Sequence, residues 1–226
     1  IQRARSFSSE MGLPLVECNS NLAAAFVYNC RRFDQTNTYA NAFAALCLQK
    51  LLRTYYYSSW GHDFSYFTID NLDSHDSAAY DLLSFTAFST QSLRFHPDGG
   101  AVSRFVKTQD VSSFAPAHRY LHVCTDDTGP NCGFCAKCRR TLITLDAIGA
   151  LDEFSNVFDI SAYRRNRTSN LRWWLMEQHM FGKNTYTGEA TEILKPQMGL
   201  LDFSWVAYRL FRHRVAEKLG RGKRRG

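Results

Sequence analysis

The chain has 226 residues, 45% hydrophobic and 14% aromatic, enough for one domain with a sizeable core and a smaller appendage. Its 17 Phe, 11 Tyr and 4 Trp exclude disorder and low complexity, and no apolar run reaches the roughly 18 residues that a membrane span needs. The net charge of +6 is local: residues 209–226 carry eight Lys or Arg against one acid, Glu217, which leaves residues 1–208 at −1.

From the N-terminus, residues 7–11 are helix-like, Gly12 and Pro14 punctuate, and Leu13 to Cys18 reads as a short buried strand. A helix followed by a buried strand is the middle of an α/β unit, so a first strand is expected upstream of Ile1. Tyr39 to Leu52 is rich in Ala and Leu, apolar over most of its circumference, and predicts a buried helix. Thr54 to Ser59 is aromatic and β-forming and stops at Trp60-Gly61. A helix over 75–90, a strand over Ser92 to His96, a helix over 101–114 and a short final strand over Arg119 to Cys124 follow. Strands alternating with helices at this spacing predict a Rossmann-like parallel sheet, α/β in class.

Beyond the cysteines the texture turns helical: Lys137 to Ala150, Asn170 to Phe181 and Gly199 to Leu219 all show helical periodicity. The expected organisation is an incomplete α/β domain over 1–150 and a helical extension with a basic tail over 151–226. Trp173, Trp174, Met176 and Met180 are assigned to packing of that extension.

Of seven cysteines, Cys18, Cys30 and Cys47 are scattered, whereas Cys124, Cys132, Cys135 and Cys138 fall within fifteen residues. An odd count with no secretory pattern at Ile1 argues against a disulfide framework, and the cluster argues for metal in a reducing, cytoplasmic compartment. Four thiolates can close a tetrahedron around Zn²⁺, and two-residue spacers let neighbouring sulfurs turn onto one ion. Gly133 permits the positive φ that such a loop uses, and Cys138 falls in the first turn of the next helix. An iron–sulfur cluster and four unliganded thiols remain as alternatives, the first lacking the downstream Cys-Pro that it often uses. A site with four Cys is closed, so the metal is expected to be structural. His122, two residues before Cys124 on the predicted strand, is placed to donate to that sulfur.

The segment Asn131-Cys132-Gly133-Phe134-Cys135-Ala136-Lys137-Cys138-Arg139-Arg140-Thr141 resembles the C-terminal zinc motif of the 7-cyano-7-deazaguanine synthase family. It is closer to relatives that read Asn-Cys-Gly-x-Cys-x-Lys-Cys-x-Arg-Thr. The upstream runs Tyr56 to Ser59 and Ser103 to Thr108 fit the same pattern. The resemblance covers roughly residues 1–150, and the cysteine block is its specific part. It implies a PP-loop ATP pyrophosphatase with an adenine nucleotide alpha hydrolase-like fold, incomplete at its N-terminus. Such an enzyme, a ligase or amidotransferase in type, uses ATP and Mg²⁺ to adenylate a carboxylate or similar oxygen, releases pyrophosphate, and lets a nitrogen nucleophile displace AMP. The Ser-Gly-Gly-x-Asp-Ser phosphate loop of that family is not in the 226 residues, and it is expected upstream.

Ligands of open α/β sheets sit beyond the strand ends. Ser59 and Trp60 at one such end, with Arg104 and Lys107 on the helix predicted over 101–114, are the candidate substrate and nucleotide contacts; Arg140, near the zinc loop, is equally placed to pair with an acid. Expected partners are a small carboxylate-type substrate and ATP, with no membrane. A zinc-knuckle module whose basic tail binds nucleic acid, a non-catalytic scaffold, and self-association are the alternatives left open.

Overall fold

The computed structural model describes residues 1–22, 24–25, 33–58, 77–124, 126, 129–181 and 188–222. The chain divides into two compact units, residues 1–107 and 108–226. The cysteine loop therefore belongs with the C-terminal helices, not with the segment that holds the strands.

The first unit contains α1 (Gln2–Glu10), α2 (Phe33–Cys47), β1 (Thr54–Ser58), a 3₁₀ turn (Ser77–Tyr80), α3 (Asp81–Ala87) and β2 (Arg94–Asp98); α4 (Arg104–Ser112) starts within it. β1 and β2 pair in parallel, with Thr54 opposite Arg94 and Ser58 opposite Asp98. A parallel pair needs a crossover rather than a hairpin, and here α3 lies in that connection. Alternation decides the faces. Tyr55 and Tyr57 turn in, whereas Tyr56 is exposed and meets His96 edge-on. The inner residues pack with Phe85, Leu93 and Phe95 against Ala42 and Ala45 of α2, whose small side chains let the helix approach closely. Tyr57 stacks on Phe85 with ring centroids 4.0 Å apart. Beneath them the Thr38 hydroxyl donates to the buried Asp81 carboxylate, which ties α2 to the start of α3.

Two expected features of this half are corrected. Residues 13–20 join no strand, and Leu13, Leu15 and Val16 are exposed, because an apolar run becomes a strand only where a partner supplies the ladder. Among the described residues the sheet has two strands, so the fold is mostly helical and a complete Rossmann-like sheet is not seen.

The second unit continues with α5 (Ala117–Tyr120), α6 (Ala136–Ala147), a 3₁₀ turn (Leu151–Phe154), α7 (Ile160–Arg165), α8 (Arg167–Phe181), α9 (Gly188–Leu194), a 3₁₀ turn (Lys195–Gln197) and α10 (Leu200–Gly222). The strand expected over Arg119 to Cys124 is absent: α5 occupies its start, and residues 121–124 are extended without a ladder. α6 ends as its sequence dictates. Gly149, at φ 75°, lets the Gly149 and Ala150 amides turn back to the carbonyls of Asp146 and Leu145. Leu142, Ile143, Leu145, Phe154, Leu171, Trp174, Leu175 and Leu194 form the buried interior. Trp174 is 1% exposed and its indole N–H donates to the Thr191 hydroxyl at 2.8 Å, as a buried indole requires. Met180, by contrast, is exposed.

Candidate metal centre

The centre is built from the end of an extended segment, a loop and the first turn of α6. Cys124 ends the extended segment 121–124, Cys132 opens the loop, Cys135 is the residue preceding α6, and Cys138 is the third residue of that helix. Gly133 turns the loop with φ 79°, a value that a side chain would strain. Two amides then point at sulfur: Cys135 N–H donates to Cys132 Sγ at 3.3 Å, and Cys138 N–H to Cys135 Sγ at 3.5 Å. The Cys135 thiol thus caps the helix that carries Cys138.

The four sulfurs lie within 4.8 Å of one another, and Cys132 and Cys138 sulfurs are 3.9 Å apart. A tetrahedron with metal–sulfur bonds of about 2.3 Å has edges of about 3.8 Å, so the donor set fits a single ion without rearrangement of the backbone. Electrostatics separates the four. Amide donors from Cys132 and Asp126 lower the pKa of the Cys124 thiol, since a thiolate accepts those bonds better than a thiol. Cys138 is fully buried, and desolvation holds its thiol well above the usual range, outweighing the favourable Gly133 amide and the helix start. A cation among the sulfurs would take the place of that proton. No disulfide is formed among the described cysteines.

A residue that the sequence did not single out holds the frame. Asn131 is 7% exposed and all four of its side-chain bonds go to backbone. Its Oδ1 accepts from Val123 N–H (2.9 Å) and Cys124 N–H (3.1 Å); its Nδ2 donates to Leu121 O (2.9 Å) and Val157 O (3.0 Å). These bonds stand in for the missing ladder and explain why 121–124 is extended without being a strand. The signal available in sequence was only an Asn preceding the first loop cysteine.

The remaining candidates separate. Ser59 and Trp60 lie outside the described residues. Arg104 and Lys107 are half-buried on α4 in the first unit, which contains none of the four clustered cysteines. Arg140 takes its bland role: its guanidinium grips Glu177 of α8 with Nε and Nη2 at 3.0 and 2.9 Å. The donation expected from His122 to the Cys124 sulfur is not made through Nε2, which is buried without a partner among the described residues. The ring lost its expected aim when the predicted strand proved to be a ladderless segment.

No family model, curated protein or solved structure matches the chain. Among the described residues, no helix is long and apolar enough to cross a membrane.

Proposed function

We propose that Cys124, Cys132, Cys135 and Cys138 hold one Zn²⁺ as a permanent structural ion, within the C-terminal portion of an ATP-consuming enzyme of the PP-loop type. The observation that carries the metal assignment is the convergence of the four sulfurs within 4.8 Å. That spacing suits one ion rather than a cluster of several iron atoms with bridging sulfides. Four protein thiolates leave no position for water or substrate, so the ion's work is to clamp residues 121–124 and the loop onto the first turn of α6. In this proposal the four thiolates fit a reducing compartment such as the cytoplasm.

The enzymatic part rests on the cysteine text of residues 131–141 and on the parallel pairing of β1 with β2, a pairing typical of α/β nucleotide-binding sheets. In this proposal ATP with Mg²⁺ activates a carboxylate-type substrate, and Ser59, Trp60, Arg104 and Lys107 are the contacts to test.

Elemental analysis of purified protein checks the metal: one zinc per chain, lost in Cys132→Ser/Cys135→Ser, is the expected result. Iron with a visible absorption band, or no metal in a folded protein, overturns it. Cleavage of ATP to AMP and pyrophosphate by the gene's full-length product is the expected result for the enzymatic part; cleavage to ADP, or no ATP binding, overturns that part alone. Tight, salt-dependent nucleic-acid binding lost on deleting 209–226 would favour the nucleic-acid module instead.

A further inference from the structure

Beside the metal loop lies a cavity of about 240 Å³, walled by the loop at Cys132, Gly133 and Phe134, by α6 at Arg139, and by α7 and α8 at Tyr163 and Asn170. One of its walls carries a buried polar atom with no partner among the described residues. Arg139 is half-buried, its Nε is buried with no hydrogen-bond partner, and it forms no ion pair among the described residues. Asn170, 5% exposed, lines the same cavity. Buried polar groups are nearly always satisfied, so the Arg139 Nε on this cavity wall calls for a partner.

Arg139 stands apart from its neighbours. The other half-buried arginines of α6 and α8 each hold a carboxylate: Arg140 with Glu177 at 2.9 Å, Arg167 with Asp146 at 2.6 Å, and Arg172 with Asp202 at 2.7 Å. Arg139 instead lies over the Trp173 ring, its guanidinium carbon 5.3 Å from the ring centroid. Stacking fixes the plane of a guanidinium while leaving its N–H edge uncommitted, which is how an arginine is prepared for a planar or tetrahedral oxyanion. The one acid on the rim, Asp159, already accepts the Ala162 amide at 2.8 Å to cap α7, and it is exposed to solvent screening.

We infer that this cavity binds the oxyanion of a small ligand, a carboxylate or a phosphate, through the N–H edge of Arg139 and the amide of Asn170. At about 30 Å³ per water the space equals about eight waters, which leaves room for an oxyanion and an attached group. Cys132 also lines the cavity, so the site adjoins the metal loop, but the Arg139 and Asn170 side chains are not metal ligands.

The test is titration of purified, zinc-loaded protein with inorganic phosphate and, separately, with acetate. Ionic strength is held constant with sodium chloride, and tryptophan fluorescence is read because Trp173 lies beneath Arg139. Saturable binding of either probe is expected, weakened about tenfold or more in Arg139→Gln, since a charge-assisted pair is lost. Asn170→Asp, equal in size but anionic, should weaken it as well. Zinc content and far-ultraviolet circular dichroism should stay at wild-type values in both variants, which keeps a failure of this site distinct from a failure of the metal centre. Arg164→Gln, at an exposed arginine paired with Asp152, should bind like wild type. Phosphate binding without acetate binding identifies a phosphate-bearing ligand, and the converse a carboxylate. No saturable binding, or equal binding by Arg139→Gln, overturns the proposal.

Discussion

Replacing Asn131 by Ala should unsettle the metal loop more than any cysteine-sparing change nearby. The substitution removes four hydrogen bonds and leaves the amides of Val123 and Cys124 and the carbonyls of Leu121 and Val157 without protein partners. At about 1 kcal/mol net per bond the loss is about 4 kcal/mol, and three of the four bonds are only partly buried, so water recovers a share. The expected destabilisation is therefore about 2–4 kcal/mol, which at about 2–4 °C per kcal/mol lowers Tm by about 4–16 °C. Because Cys124 loses its amide anchor, zinc affinity should fall about 10- to 100-fold, as when a residue supporting a metal ligand is removed. Urea unfolding of the zinc-loaded protein, with a competing chelator titration, measures both. Asn131→Asp sharpens the test: it can still accept from both amides but cannot donate, so its carboxylate faces two carbonyl oxygens. A loss below about 1 kcal/mol in both variants, with unchanged zinc affinity, would refute the claim that this side chain replaces a sheet ladder.

Phe85→Ala, at a ring with no exposure that touches Tyr57 and Phe95, should cost about 3–5 kcal/mol in urea unfolding and affect the first unit without changing zinc content. Arg140 and Glu177 should show a coupling of about 1–3 kcal/mol in a double-mutant cycle of Arg140→Gln and Glu177→Gln, because the pair is bidentate and partly buried; coupling below about 0.5 kcal/mol contradicts that. The phenol of Tyr163 is held above its ordinary pKa by burial and by the Asp146 carboxylate, which accepts a hydrogen bond from it at 2.8 Å. Since the folded state keeps a proton that the unfolded state releases near pH 10, the associated stability is intact below about pH 10 and declines as pH rises beyond it. Tyr163→Phe should flatten that alkaline decline and lower neutral-pH stability by about 1 kcal/mol; an unchanged profile in pH-dependent melting counts against the assignment.

Much of the metal site was legible because its determinants are local. Four cysteines within fifteen residues can hardly avoid one another, Gly133 permits the turn, and the run after Cys135 has helical periodicity, so ligand set and helix start follow from the order of residues. Helices α2, α3, α6, α8 and α10 and the two strands near 54–58 and 94–98 were readable for the same reason: periodicity and propensity act over a few residues. The segments 13–18 and 119–124 were not. Each is apolar enough for a strand, but a strand exists only with a neighbour, and whether one arrives is decided by distant chain. In the second case the amides that a ladder would have used are taken by Asn131, a role that no local pattern reveals. The carboxylates that bind Arg140, Arg167 and Arg172, 37, 21 and 30 residues away, were equally invisible in the sequence, as was the absence of one at Arg139. Spacing along the chain determined which sulfurs meet; packing of helices far apart in sequence decided which charges are paired and which face an open cavity.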